Sequence, residues 1–138
     1  MSLYRIFDVA GSGMSAQSVR LNTTASNMAN ADSISSSVNQ TYRGRHPVFS
    51  AMLDQLQDPN NAGVEVKVNG IVESPAPVRM EYRPDHPLAN AQGYIYLPNI
   101  NPAEELANMI SASRSYQDDV EVMNTSKQLM SRTLDLGR

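Results

Sequence analysis

The sequence predicts an α+β fold in which two long terminal helices pair as a coiled coil and a small antiparallel β-rich region is inserted between them. Three observations lead to this prediction. Apolar residues recur about every 3.5 positions near both ends of the chain, as they do along the contact between paired helices. Short segments between those ends alternate apolar and polar side chains, as half-exposed strands do. Turn-forming residues separate the short segments.

The first helix is predicted within residues 1–32. From Leu3 onward, positions spaced alternately by four and three residues form one helical face, although several of its side chains are small or polar. Gly11 and Gly13 each cost about 1 kcal/mol in a helix interior. We therefore expect a helix that is marginal until it packs, and an isolated subunit with partly disordered ends. The predicted contact positions, here called the N-terminal seam, are Leu3, Phe7, Ala10, Met14, Leu21 and Met28.

The segment RLNTTASNMANADS, residues 20–33, closes the first helix with few large apolar side chains. Its alanines allow close approach of neighbouring helices. Asn27 and Asn30 are predicted to hydrogen-bond backbone groups where the helix stops. The sequence leaves open whether these asparagines cap their own helix or bond to another subunit.

A serine-rich linker at residues 33–40 and a β-rich region at residues 41–100 follow the first helix. The segments VEVKVN and VRMEYR alternate apolar and polar side chains, which is the pattern of half-exposed strands. We expect one small, twisted antiparallel sheet. The candidate strands are residues 41–49, 64–69, 78–83 and 94–97, and the candidate turns are residues 58–63, 74–77 and 83–93.

The second helix is predicted within residues 101–138. Asn101 can cap it, Pro102 suits the first helical position, and Glu104 lies near the positive end of the helix dipole. A helix of about 34 residues is about 50 Å long. A compact chain of 138 residues, by contrast, has a radius of gyration of only about 14 Å. The terminal helices should therefore pair with each other. The predicted contact positions, here called the C-terminal seam, are Leu106, Met109, Tyr116, Val120, Met123, Met130 and Leu134.

The composition argues for a chain that works with partners. Leu, Ile, Val and Phe together supply only 29 of 138 residues, and much of the remaining apolar content is alanine and methionine. The net charge is −3 and the eleven basic residues are scattered, which argues against nucleic acid or an anionic membrane as a partner.

The sequence also bears on export. The N-terminus has no basic segment followed by an apolar run, and no later run approaches the length of a membrane span. If the protein leaves the cytoplasm, we expect it to do so without a cleaved signal peptide, and we expect no insertion into a membrane. The absence of cysteine excludes disulfides and thiolate catalysis.

The motif GSGMSA, residues 11–16, is the best candidate for a cofactor site, because it fits a dinucleotide-binding pattern with Asp32 about 20 residues further on. A strand buried on both faces would not carry Arg5 and Asp8, however, and no second strand follows the helix. The glycines are better explained as small residues that let helices approach. Binding of a nicotinamide or flavin would be needed to support the alternative.

Other candidate chemistry is also weak. His46 and His86 each precede a proline and have no second ligand at helical metal spacing. Asp118, Asp119 and Glu121 are better explained as exposed groups, or as partners of basic residues on a neighbour, than as an acid and base pair. We expect no enzymatic activity, no catalytic residue, no metal, no cofactor and no small-molecule substrate.

Four segments, in order and together spanning nearly the whole chain, carry a resemblance to a known family. They are IFDVAGSGMSAQSVRLNTTASNMANADS, YRGRHPVF, HPLANAQGYIYLPNINP and ASRSYQDDVEVMNTSKQLMSRTLDLG. The chain resembles the axial proteins of the bacterial flagellum, and in particular the subunits of the proximal rod of the basal body. The helical ends are similar to those of rod and hook proteins generally, whereas HPLAN and GYIYLPN point to the proximal rod. Residues 33–38 and 50–61 lie where that family varies in length.

The resemblance implies a structural subunit of the proximal rod rather than an enzyme. Such subunits polymerise with other copies and with other rod proteins into a drive shaft that crosses the periplasm and transmits torque. They leave the cell through the flagellar type III export apparatus. The terminal helices are then expected to form an inner layer around the export channel, with the β-rich region outside.

Two further interpretations remain open at this level. The chain could be another axial subunit of the rod or hook, distinguished by its neighbours in the basal body. It could also be a coiled-coil adaptor or secreted effector, which would form a closed dimer instead of a growing assembly.

Overall fold

The computed structural model describes residues 3–52 and 63–136, and shows helices at both ends with antiparallel strands between them. This arrangement confirms the predicted α+β class. The elements in chain order are α1 (Leu3–Asn30), β1 (Arg45–Met52), β2 (Glu65–Glu73), β3 (Arg79–Tyr82), β4 (Tyr94–Leu97) and α2 (Pro102–Leu136).

The strands form two separate two-stranded sheets, whereas the sequence predicts one sheet. β1 pairs antiparallel with β2, with a bulge between Val48 and Phe49, and β3 pairs antiparallel with β4. Between β2 and β3 lie Pro75 and Pro77, which have no N–H to donate to a strand ladder. The segment between β2 and β3 therefore cannot extend the ladder of β2, and the two hairpins form separate sheets. The predicted turn at residues 58–63 lies, apart from Gly63, outside the described residues.

The hairpin of β1 and β2 lies lengthwise along α1. Near the start of α1, the Arg5 guanidinium donates a hydrogen bond to the Gly63 carbonyl at 3.2 Å. Further along, the Val66 N–H donates to Ser12 Oγ at 3.1 Å, and at the far end Asn27 bonds to Arg45. α1 thus supplies partners to backbone groups along the hairpin, which a two-stranded sheet needs because it is marginal alone.

The hairpin of β3 and β4 is held beside the linker. Ser35 and Tyr96 form an antiparallel bridge with two backbone hydrogen bonds of 3.0 Å. Tyr82 and Tyr94 pack edge to face with their ring centroids 5.2 Å apart. Gly93 has φ of +81°, and a Cβ there would lie 2.7 Å from the Tyr82 ring. A side chain at this position would therefore be strained and would also strike the aromatic pair.

α2 begins as the sequence predicts. The Asn101 side chain accepts a hydrogen bond from the Ala103 N–H at 3.1 Å, and Pro102 is the first helical residue. α2 runs for 35 residues and α1 for 28. Over the described residues, neither helix has an apolar stretch long enough to cross a lipid bilayer.

The core of the described chain is small. Its buried apolar side chains are four alanines and two isoleucines, together with the fully buried Pro98. The two isoleucines, Ile95 and Ile100, lie where β4 leads into α2. Along the helices the buried apolar residues are alanines, so the helix contact depends on close approach more than on large side chains.

Candidate assembly surfaces

The two terminal helices contact each other through small and polar residues. Gly13 lies opposite Asp119, and seven residues later Arg20 donates a hydrogen bond to Asn108 Oδ1 at 3.0 Å. The partner position on α2 moves backward as the position on α1 moves forward, so the helices run antiparallel. A Cβ added to Gly13 would lie 2.6 Å from Asp119 Oδ2, which is too close without movement. Gly13 therefore leaves room for the Asp119 carboxylate in the helix contact.

The buried column of α2 recurs every seven residues. Glu105, Ala112 and Ser126 are buried and Asp119 is half-buried, and Ala112 has no exposed surface at all. Ser126 Oγ donates to the Val122 carbonyl of its own helix at 2.8 Å, which satisfies its hydroxyl. A period of seven is the spacing of paired helices, although this column lies one residue away from the column predicted at Leu106 and Leu134.

The large apolar residues predicted as seams mostly flank this contact. A sequence pattern is weighted toward large side chains, whereas close approach uses the alanines and glycine beside them. Leu106 and Leu134 are 49% and 71% exposed. Their role in self-association stays a prediction. Ala10 is buried, the side chain of Leu3 lies outside the described part, and the half-buried seam residues are Phe7, Met14, Leu21, Met28, Met109, Tyr116, Val120, Met123 and Met130.

Asp119 is the titratable group most affected by the helix contact. Its carboxylate faces Gly13 of α1, and burial raises its pKa above the usual value, with the neighbouring charge of Asp118 as a second cause. The charged form is disfavoured because part of its hydration is lost. The helix contact is therefore weaker when Asp119 is ionised.

Asn27 joins the end of α1 to the start of β1. Its side chain is 1% exposed. Asn27 Nδ2 donates to the Arg45 carbonyl at 2.8 Å, and Asn27 Oδ1 accepts from the Arg45 N–H at 2.9 Å. The Tyr42 hydroxyl donates to the same oxygen at 3.1 Å and also lies 3.2 Å from Ser26 Oγ. The primary amide thus pairs with the backbone of Arg45 as a neighbouring strand would.

Asn30 acts within its own helix. Its Nδ2 donates to the Ser26 carbonyl at 2.8 Å, while Ser33 Oγ donates to the Asn30 carbonyl at 2.8 Å. These bonds use carbonyl groups that the end of a helix leaves unpaired. The two asparagines therefore differ in role, since Asn27 bonds to a distant segment of the same chain and Asn30 bonds locally.

Sequence reasoning missed Tyr42, Arg45 and Asn99 as members of these junctions. Tyr42 lies 15 residues from Asn27, and no local period connects them. Asn99 accepts a hydrogen bond from the Gly44 N–H at 2.8 Å and donates to the Ala76 carbonyl at 2.8 Å. An isolated Asn or Tyr in a loop carries no signal for a partner so far along the chain.

Many large apolar side chains remain exposed in the described chain. They lie on both strands of the first hairpin, around Tyr82, and on α2. Where such side chains form contiguous patches, they mark contact surfaces for other proteins. The most exposed are Ile71, Val72, Met80, Tyr82, Leu129 and Leu134.

The segments considered for chemistry lie in ordinary structural settings. Residues 11–16 are inside the continuous helix α1, so they do not form the turn that a phosphate site requires. His86 Nδ1 accepts a hydrogen bond from the Leu88 N–H at 3.1 Å, within a loop. Among the described residues, no group of three or more His, Cys, Asp or Glu side chains could hold a metal ion.

Known proteins match this chain in two ways: family models match its two ends, and individual proteins match its whole length. A family model described as flagella basal body rod protein matches residues 7–33, and one described as flagellar basal body rod FlgEFG protein C-terminal matches residues 91–136. The flagellar basal-body rod protein FlgC of Yersinia enterocolitica is 50% identical over 138 residues, which is 100% of both chains. The FlgC of Salmonella typhimurium is 48% identical over the same span. The FlgC of Aquifex aeolicus is 38% identical over 135 residues, 98% of this chain and 97% of that protein.

Proposed function

The chain belongs to the FlgC family of flagellar basal-body rod proteins and is a structural subunit of the basal-body rod, and we propose that it polymerises there through its terminal helices. The observation that carries this proposal is the contrast between a core of small residues and a surface rich in large apolar side chains. A chain of this kind gains its missing burial from neighbours. The neighbours are other copies and other rod proteins of the proximal rod.

The helix pair is proposed to be the part that transmits torque. α1 and α2 are long, antiparallel and in contact through a column with a period of seven, which supports pairing of the coiled-coil type. Long helices can overlap several neighbours along a shaft, so a twisting force is shared among many contacts. We place the helix pair around the export channel and the β-rich region outside it.

The Asn27 and Asn99 junctions support a mechanical role for the β-rich region. Both tie the segment around Gly44 and Arg45 to helix ends by short hydrogen bonds. A rigid link of this kind lets a lateral contact on a strand resist rotation of the helices. For the organisation of the chain we propose a helix at 1–32, a linker at 33–40, a β-rich region at 41–100 and a helix at 101–138.

Delivery to the rod is proposed to use the flagellar type III export apparatus. A weakly stabilised N-terminal helix supports this route, because the glycines and small residues of α1 make it easy to unfold before passage through a narrow channel. No cofactor, catalytic residue or small-molecule substrate enters this proposal.

Sedimentation of the purified chain tests the proposal. An open contact between two different faces should give species that keep growing with concentration, whereas a closed adaptor would stop at a dimer. Replacing Tyr116, Val120 and Met123 together with alanine should reduce this growth, because these half-buried side chains are proposed to meet neighbours.

The matched control for that variant replaces Gln117, Glu121 and Asn124 with alanine on the same helix, where all three are exposed and polar. Its assembly should resemble that of the unmodified chain. A dimer that does not grow, or equal loss of assembly in both variants, would contradict polymerisation through this face.

A further inference from the structure

A row of large apolar side chains runs along α1 beside its buried column. The row consists of Phe7, Met14, Leu21 and Met28, which recur every seven residues and are all half-buried. Each lies three positions before a member of a second series, residues 10, 17, 24 and 31. This series is the column of α1 that faces α2, and it begins with the buried Ala10. The row is therefore adjacent to the helix contact without forming its centre.

A second row on α2 has the same relation to its own column. Met109, Tyr116, Met123 and Met130 also recur every seven residues and are half-buried. Each lies three positions before the next residue of the series through Ala112, Asp119 and Ser126. The same offset on two right-handed helices that run antiparallel turns both rows toward the same flank of the pair.

The opposite flank carries polar contacts. Arg20 donates to Asn108 there, and the Asp119 carboxylate faces Gly13. The two apolar rows thus flank the helix contact on one side, and the partly exposed surface between them is here called the methionine groove. Four of the eight methionines of the chain lie in it, and Met130 lies beyond its end, past the start of α1. Methionine adapts its shape to an incoming apolar surface, so such a groove suits an amphipathic helix.

The end of α2 supplies a helix of this kind. With Gly13 opposite Asp119, roughly seven residues of α2 lie beyond the start of α1, which is about 10 Å of helix. Every described side chain from residue 131 to 135 is exposed, and Leu134 is the most exposed large apolar residue in the described chain. Met130 and Leu134 are four positions apart and share one face of this end.

We propose that the end of α2 from one copy lies in the methionine groove of a second copy. This inference rests on the proposed function, because it needs copies of the chain to meet in the rod. The end of α2 carries an uncovered large apolar side chain, Leu134, and the groove is continuous with the contact that already holds two helices together. A contact between two different surfaces leaves one of each free, so it can continue from copy to copy.

Disulfide formation in basal bodies tests this contact. The chain has no cysteine, so every disulfide that this chain forms must involve an introduced cysteine. The chromosomal copy is deleted and the double variant Met14→Cys, Leu134→Cys is expressed in its place. Within one copy these positions are more than about 15 Å apart along the helices, whereas a disulfide needs Cα atoms within about 7 Å. Oxidation of purified basal bodies should therefore link different copies and produce multiples of the 15.1 kDa chain.

The matched control is Ser15→Cys, Leu134→Cys, because Ser15 is the next residue of α1 but is exposed on another face. Its yield of linked chains should be severalfold lower. A second pair, Leu21→Cys with Leu134→Cys, samples another position of the groove and serves if the first variant does not incorporate.

Three results would each overturn the inference. The incorporated variants could give no linked chains at either groove position, or the Ser15 control could give the same yield as the groove positions. The links could also form only to a different basal-body protein. Absence of the unmodified chain from basal bodies would instead contradict the proposed function. The two failures are distinguishable because incorporation is measured on the same preparations before oxidation.

Discussion

Asn27 is the residue on which the connection between α1 and β1 depends. Replacing it with alanine removes a buried side chain, and the Arg45 N–H and carbonyl lose the partners that Asn27 supplies. We expect a loss of about 1–3 kcal/mol in the free energy of unfolding, measured by chemical denaturation. Asn22→Ala is the control, since Asn22 is exposed on the same helix. Similar small losses in both variants would show that the Asn27 bonds add little.

Asn27→Asp removes the donated half of the same interaction and places a carboxylate at the buried site. The carboxylate can still accept from the Arg45 N–H and the Tyr42 hydroxyl, but it cannot donate to the Arg45 carbonyl. Because the buried carboxylate also loses hydration and faces the Arg45 carbonyl, we expect a loss at neutral pH at least as large as that of the alanine variant.

Asp119 predicts a pH dependence of stability. Its folded-state pKa is raised by burial and by Asp118, so the folded chain holds this proton at pH values where the unfolded chain has released it. Stability from this group is fully present below the ordinary value of 3.8 and is lost as the pH rises through the raised value. Asp119→Asn should therefore raise the denaturation midpoint at pH 7, and its advantage should shrink toward pH 3.8.

The control for this prediction is Asp135→Asn, because Asp135 is exposed near the end of α2. Its effect on the denaturation midpoint should be small at all pH values. An Asp119→Asn variant that is less stable at neutral pH, or whose advantage grows in acid, would contradict the proposed cost of burying the carboxylate.

At the scale of elements, the packing of α1 on α2 distinguishes its two glycines. A Cβ at Gly11 would meet nothing within 4 Å, whereas one at Gly13 would meet Asp119. Gly11→Ala should stabilise the isolated chain by up to about 1 kcal/mol, because alanine is the better helix former. Gly13→Ala should gain less or lose stability, since Asp119 must move. Thermal unfolding of the two variants compares them, and equal gains would mean that Asp119 moves aside freely.

The elements themselves follow closely from local signals. The start of α2 is specified by Asn101 and Pro102, and the alternation of apolar and polar residues located the segments that became β2 and β3. The division into two sheets could not be predicted, because it depends on which partners the strands find outside their own sequence. α1 covers the first hairpin, and the bridge of Ser35 to Tyr96 holds the second.

On the scale of the whole molecule, the uneven burial of side chains predicts that backbone amides in different elements exchange their hydrogens at different rates. Ile95 and Pro98 are fully buried near the start of α2, while the far end of α2 is exposed. Hydrogen exchange on the dilute chain should show faster exchange along α1 and the end of α2 than in β4. Protection of both helices equal to that of β4 would contradict this expectation. In assembled rods, the helices should become slower to exchange than in the dilute chain.

The sequence by itself determined the two long helices, the cap of α2, the strand segments and the poverty of large apolar residues that indicates a subunit with partners. These properties are local or compositional, so neighbouring residues suffice to specify them. Only the tertiary structure decided that Asn27 bonds to Arg45, that Ala112 and Gly13 lie in the helix contact, and that the large apolar rows flank this contact. These contacts depend on which face of each helix is turned toward its partner. That orientation is set by the close packing of small side chains, which contribute least to a hydrophobic sequence pattern.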